Sequence, residues 1–320
     1  MATTKLENLI NPQVMGDIIG AKIEKAIVVT PFATINTDLV GSAGDTVTVA
    51  RYQYAGDAVD VSEGEEVSPV VLKATDVSYK IKKAMQAVTL TDEAVLSGAG
   101  DPIGKTNTFL AESMKGKVDG DAISALYGAS RRYSGESKAI NYAGIVDAID
   151  LFQEEMNTEK VMFVAPSQVA TLRKDSDFIS ADKYPHDVIM TAEVGMIANT
   201  RIIMSNRVEK FAEWYKFDDA GTVTVAAANI AEIQKSLPSA KVGDKVTKVS
   251  TAAYLNPIVK IETDERTEDE IAALTIFLKR DTNVETERHT LKRTTDISVD
   301  KLYCAALTND AKVVIAAFKA

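Results

Sequence analysis

Apolar and polar residues change period several times along this chain, and the changes divide it. Near the start Val14, Ile18, Ile19 and Ile23 recur at close to helical spacing before the run AIVVTPFATINT, where Pro31 stops a continuing helix. Residues 1–37 therefore read as an arm that becomes extended. After turn residues at Gly41 to Asp45, TVTVARYQY alternates with Val47 and Val49 set against Thr46 and Thr48, which is the period of a strand. TDVSYKIKK alternates again, with Val77, Tyr79 and Ile81 on one side and Ser78, Lys80 and Lys82 on the other. Between these runs lies an acidic, turn-rich tip containing Gly56, Asp57, Asp60, Glu63, Gly64, Glu65 and Glu66. The pattern predicts a long hairpin over 38–84. An isolated two-stranded hairpin is marginal in water, so one of this length leans on its own domain or on a neighbouring chain.

Asp101 and Pro102 form a helix start, and Ile103, Leu110, Met114, Val118 and Ala122 follow at steps of seven and four, predicting one long amphipathic helix to about Leu126. Gly116 and Gly120 interrupt its propensity and mark places of close backbone approach. From Asn141 the pattern is mixed. A helix runs through Ile145, Ile149, Phe152 and Met156, followed by the apolar strand VMFVA at 161–165 and a Pro-initiated helix in PSQVATLRK. Further strands are predicted for RIIMS at 201–205 and TVTVAAA at 222–228, which together suggest an α/β subdomain. Residues 235–270 are rich in Lys, Asp and Glu and read as an exposed insertion. LTIFL at 274–278, LYCAAL at 302–307 and KVVIAAF at 312–318 read as closing antiparallel strands. The domain boundaries expected from this pass are 1–37, 38–84, 85–140, 141–270 and 271–320.

Composition narrows the function. The 320 residues suffice for a large core without staples, and 46% hydrophobic with 26% charged residues is the balance of a folded globular protein. No uncharged apolar run approaches bilayer length, so no membrane partner is expected, and the start MATTKLENLINPQV lacks the marks of a secretory signal. The net charge of −10 argues against gripping duplex nucleic acid as the main task, although a container that encloses DNA tolerates it.

Candidate chemistry is sparse. One cysteine, Cys304, excludes a disulfide framework, and two histidines, His186 and His289, exclude multi-histidine metal sites. AGDPIGKT at 99–106 has Gly104, Lys105 and Thr106 in the manner of a phosphate-binding loop. Its first position is Ala99, however, Pro102 removes a backbone N–H, and the preceding LTDEAVLSG is polar and helix-like where a buried strand is needed. That segment reads as a coincidence, with a nucleotide-dependent enzyme as the remote alternative. Glu262, Asp264, Glu265, Glu268, Asp269 and Glu270 read as a solvated face in preference to a calcium site. No catalytic residue, cofactor or metal is expected.

The order of these parts resembles the major capsid protein of tailed bacteriophages, the α+β fold named for the Hong Kong phage. The segments that bear the resemblance are LINPQVMGDIIGAKIEKAIVVTPFA, GDTVTVARYQYAGDAVDVSEGEEV, LTDEAVLSGAGDPIG and VETERHTLKRTTDISVDKLYCAALTNDAKVV. It implies an N-terminal arm, an extended β-hairpin loop lying over a neighbouring subunit, a long spine helix, a peripheral domain, and an axial α/β domain near capsomer centres. It implies a protein whose partners are copies of itself, assembled into pentamers and hexamers, with a separate scaffolding protein, a portal, and enclosed double-stranded DNA. A nanocompartment shell protein of the same fold is the nearer alternative. On this reading Arg51 and the acids Asp57, Asp60, Glu63, Glu65 and Glu66, with Lys80, Lys82 and Lys83 on the return strand and Lys73 beside them, are the inter-subunit contacts.

Overall fold

The computed structural model describes residues 18–19, 28–41, 44–52, 74–97, 101–153, 158–175, 195–218, 220–261 and 272–320. In chain order the first strands are β1 (Thr34–Asn36), β2 (Thr46–Tyr52), β3 (Ala74–Lys80) and β4 (Lys82–Thr91). Helices α1 (Asp92–Ser97) and α2 (Pro102–Leu126) follow, then β5 (Arg132–Gly135), α3 (Tyr142–Asp150), β6 (Lys160–Val164) and α4 (Pro166–Leu172). Short strands β7 (Met196–Ile197), β8 (Thr200–Met204), β9 (Lys210–Phe211), β10 (Trp214–Phe217) and β11 (Val223–Thr224) precede α5 (Ile230–Ser236). The chain closes with β12 (Lys245–Val249), β13 (Ala253–Lys260), β14 (Leu274–His289), β15 (Thr294–Leu307) and β16 (Val313–Lys319).

The long helix forms as its sequence predicts. The Asp101 side chain caps it by accepting from the Gly104 N–H at 3.0 Å, and Pro102 occupies the first turn, where no N–H is needed. Leu110, Met114 and Val118 are buried against Ala84, Ile276, Val284, Ile297, Val299 and Tyr303 of a four-stranded sheet with strand order β1-β14-β15-β4. At about 1.5–3 kcal/mol for each large side chain taken out of water, this stripe is what fixes the helix to the sheet. One turn further on, Ala122, Ile123 and Leu126 enter a second core with Val161, Phe163, Leu255 and Ile315. The helix thus belongs to two cores and joins them.

The second core lines a mixed seven-stranded sheet, order β5-β16-β13-β6-β8-β7 with β9 also paired to β13. Its opposite face is covered by α3 and α4 through Ile145, Ala148, Val169 and Leu172. Strand β6 is buried at every position, which is why VMFVA shows no alternation. A three-stranded sheet, β10-β12-β11, packs with α5 around Ile233, Leu237 and Val246. The Arg132 guanidinium fastens this small unit to the body by donating to the carbonyls of Tyr127, Tyr215 and Ser236.

Three expectations need correction. Residues 235–270 are not one exposed insertion: β12 and β13 lie within them, and β13 is central, paired to β16 on one edge and to β9 and β6 on the other. Asn256 and Pro257 disguised it, since proline ordinarily argues against a central strand. Pro257 is accommodated because it falls where that second edge passes from β9, ending at Tyr254, to β6, beginning at Ile258. The acidic segment 262–270 lies outside the described residues. Second, β16 does not close the same sheet as β14 and β15. It pairs with β13 and, in parallel, with β5, so 313–319 and 132–135 both belong to the seven-stranded sheet. VVIAAF is buried on both faces, and only a sheet covered on both sides satisfies it. Third, the strand predicted at 222–228 is limited to Val223–Thr224, because Ala226 donates to the Asn229 side chain in the turn that leads to α5.

Candidate assembly surfaces

Strands β2 and β3 pair in antiparallel register from Thr46↔Lys80 to Tyr52↔Ala74 and, among the described residues, with no other strand. They form the hairpin predicted from alternation, and Thr48 and Ser78 face each other across it at 3.2 Å. The return strand breaks at Ile81, which is buried and donates its N–H to the Asp45 carbonyl at 2.7 Å. Beyond that point β4 runs beside β15 from Lys82↔Tyr303 to Thr91↔Thr294. The ribbon therefore ends at Lys80, and Lys82 and Lys83 belong to the body.

The ribbon is tied to the body at its base. The Tyr79 phenol donates to the Leu307 carbonyl at 2.7 Å, and its ring stacks on Phe277 with centroids 5.9 Å apart. The Lys279 ammonium donates to the carbonyl of Gly44, a residue with φ of 109°. Beside this tether lies an open, largely apolar groove of about 560 Å³, lined by Val77 and Tyr79 from the ribbon, Ala125 and Gly128 from the end of α2, and Phe217 and Leu307.

Lys80, Lys82 and Lys83 all find acids within the chain. Lys80 pairs with Asp45 at 3.5 Å across the ribbon, an exposed pair that contributes little. Lys82 reaches Asp121 of α2 at 2.8 Å, and Lys83 lies 3.8 Å from Asp300, which also receives Arg280. Arg51 lies on β2, opposite Thr75. Asp57, Asp60, Glu63, Glu65, Glu66 and Lys73 lie outside the described residues. The structure thus brings the three lysines to the junction of ribbon and body, where Lys82 ties β4 to α2 and Lys83 faces Asp300 of β15.

Sequence reasoning missed two acids on α2. Asp119, 2% exposed, accepts the backbone N–H groups of Val28 and Val29 at 3.1 and 3.2 Å and sets where the segment before β1 meets the helix. Asp121 gathers Tyr303, Lys82 and Lys117. The signal was present: two acids flanking Gly120 in a stretch otherwise committed to burial. Gly116 is a site of close approach, since an added Cβ would stand 2.2 Å from the Arg207 guanidinium, whereas Gly120 has nothing within 4 Å. Ala99 and Gly100 lie outside the described residues, and at 101–106 the place of a phosphate is taken by the protein itself. An added Cβ at Gly104 would lie 2.1 Å from the Asp101 carboxylate, which occupies the helix N-terminus that an anion would need.

Comparisons with known proteins agree with this architecture. Residues 74–274 match the phage capsid protein family. The major capsid protein of Staphylococcus phage phiMR11 is 29% identical over 313 residues, 97% of this chain and 94% of that one. Among solved structures, the capsid of cyanophage P-SCSP1u superposes with a TM-score of 0.61 at 11% identity, covering 92% of this chain and 88% of that chain. The head structure of Helicobacter pylori bacteriophage KHP40 gives 0.62 at 12% identity, covering 89% and 88%. The fold is the α+β capsid fold that the order of parts implied. With the family match extending over more than half its length, the chain belongs to the phage capsid proteins.

Proposed function

We propose that this chain is a major capsid protein whose copies associate into the shell of a phage head. The observation that carries the reading is the ribbon β2–β3, a two-stranded sheet with no third strand among the described residues. Such a ribbon leaves backbone donors and acceptors unpaired along both edges, which favours contact with another chain. The relative from phage phiMR11, similar over nearly the whole length, bears the name of major capsid protein.

In this reading the four-stranded sheet with α2 forms the peripheral domain and the seven-stranded sheet forms the axial domain at capsomer centres. The ribbon and the acidic residues beyond it, Asp57 to Glu66, lie over a neighbouring subunit. Arg51 takes part in that contact, while Lys80, Lys82 and Lys83 support it from the junction. Copies gather as pentamers and hexamers with a scaffolding protein and a portal, and assembly in the host cytoplasm encloses double-stranded DNA without sequence-specific binding.

Negative-stain electron microscopy and light scattering of the full-length protein, prepared alone and with a scaffolding protein, test this directly. Closed shells, or five- and sixfold rings that close when scaffold is present, are the expected result. Shell diameter and nuclease-protected DNA distinguish a phage head from a nanocompartment. A folded protein that remains monomer or dimer in every condition overturns the proposal.

A further inference from the structure

A small, mostly polar cavity of about 260 Å³ lies between α2 and the loop that follows β8, and Arg207 of that loop lines it. Arg132, Arg201, Arg280 and Arg288 each donate to an acceptor within the chain. The Arg207 guanidinium donates to none among the described residues, yet its place is set. It packs on Gly116 of α2, a buried glycine whose position has no room for a Cβ beneath it. The loop backbone is fastened on both sides: the Arg207 N–H donates to the Ser205 hydroxyl at 3.2 Å, and the Glu209 N–H donates to the Tyr127 phenol at 2.9 Å. A guanidinium whose position is paid for by the fold binds an oxyanion with less loss of freedom than a loose one.

Other donors share the cavity. The Ser124 hydroxyl and the Asn206 amide line it, and neither has a side-chain partner among the described residues. Gly120 forms part of the same wall, with no heavy atom within 4 Å of the place a Cβ would take. Glycine is costly inside a helix, and here it keeps that wall open.

The acids decide which anion fits. Asp121 is already met by Lys82, Lys117 and Tyr303. Lys82, Lys117 and Arg207 set against Asp121 and Glu209 leave one positive charge in excess. The Glu209 carboxylate lines the cavity without a partner among the described residues, so it repels a bare anion and accepts from one that carries a proton. Near neutral pH inorganic phosphate keeps a proton, whereas sulfate and a phosphodiester keep none.

We propose that this cavity binds inorganic phosphate as hydrogen phosphate, with Arg207, Ser124 and Asn206 donating to its bare oxygens and Glu209 accepting from its O–H. The ligand bridges α2 and the β8–β9 loop, and so ties the long helix to the seven-stranded sheet. This site goes beyond the shell-forming reading and does not depend on it.

Calorimetric titration of the full-length protein at neutral pH, with sodium phosphate, sodium sulfate and sodium dimethyl phosphate at matched ionic strength, tests it. Saturable binding of phosphate is expected, with sulfate and the diester weaker by about tenfold or more. Arg207→Gln should weaken phosphate by about tenfold or more, since it removes a charge-assisted donor. Glu209→Gln should narrow the difference between phosphate and sulfate. Gly120→Leu should fill the cavity and abolish binding, while its denaturation midpoint in phosphate-free buffer is no lower than that of the wild type, because leucine favours the helix and meets open space. Folded wild-type protein that binds no phosphate, or that takes up phosphate and sulfate alike, overturns the site. Undiminished phosphate binding by folded Arg207→Gln or Gly120→Leu protein overturns it as well, and an unchanged preference for phosphate in Glu209→Gln overturns the role of Glu209.

Discussion

The phenol of Tyr303 in β15 donates a 2.6 Å hydrogen bond to Asp121 in α2, joining the C-terminal part of the long helix to an inner strand of the four-stranded sheet. The same carboxylate receives Lys82 at 2.8 Å and Lys117 at 3.0 Å. Tyr303 is fully buried, and Asp121 is nearly so. The helix therefore meets the sheet through a polar tie beside its apolar stripe. Tyr303→Phe removes one donor and leaves Asp121 two others, so a loss of about 1–2 kcal/mol is expected, seen as a lower urea midpoint with an unchanged slope. Asp121→Ala should cost more, because it strands the buried phenol.

That tie carries a pH dependence of definite sign. Burial by itself would raise the Asp121 carboxyl, but hydrogen bonds from Lys82, Tyr303 and Lys117 outweigh it and hold the group below its ordinary value of 3.8. A carboxyl depressed in the folded state stabilises the protein above the unfolded value, and that contribution disappears as pH falls through the folded value. The stability difference between wild type and Asp121→Asn is therefore expected to be full at pH 7 and to shrink below about pH 4. Urea titrations of both proteins at several pH values measure it. A difference that grows on acidification would contradict the assignment.

Asp119 makes a separate commitment. Its carboxylate is the acceptor for two backbone N–H groups, those of Val28 and Val29, and Val29 is itself buried in the core. Asp119→Ala leaves both donors without a partner in an enclosed place, at about 1–3 kcal/mol each. Hydrogen exchange at Val28 and Val29 should accelerate well beyond the change seen in β13 or β16. Uniform acceleration across the chain would instead indicate general destabilisation.

The sequence made some of this legible and concealed the rest for physical reasons. The long helix announces itself because Asp101, Pro102 and a stripe at steps of seven and four are all local signals. The ribbon does so because Val47, Val49, Val77 and Tyr79 alternate with hydroxyls and Lys80. Strand β13 does not, since a strand buried on both faces has no alternation, and Asn256 and Pro257 imitate a loop. KVVIAAF reads as a buried strand, yet no local pattern says that β13 and β5 will be its neighbours. The lysines at 80, 82 and 83 are visible as a basic run, but their acids Asp45, Asp121 and Asp300 come from three remote segments. Only the folded chain shows that the charge is already used within it.

The tether at Tyr79 offers the sharpest separation of ribbon from body. Two interactions meet in this side chain, the hydroxyl bond to Leu307 and the stack on Phe277, and two substitutions separate them. Tyr79→Phe keeps the stack and loses the bond, whereas Tyr79→Ala loses both and enlarges the adjoining groove. The ribbon has one hydrogen-bonded ladder, and Val47, Val49, Val77 and Tyr79 are only partly buried, so it belongs to the low-stability end of the molecule, where local opening is independent of global unfolding. Hydrogen exchange in β2 and β3 is therefore expected to rise modestly in the Phe variant and strongly in the Ala variant, while β4 and β15 remain as protected as in the wild type. If β4 and β15 lose protection in step with the ribbon, Tyr79 is part of the sheet core and the ribbon has no separate motion.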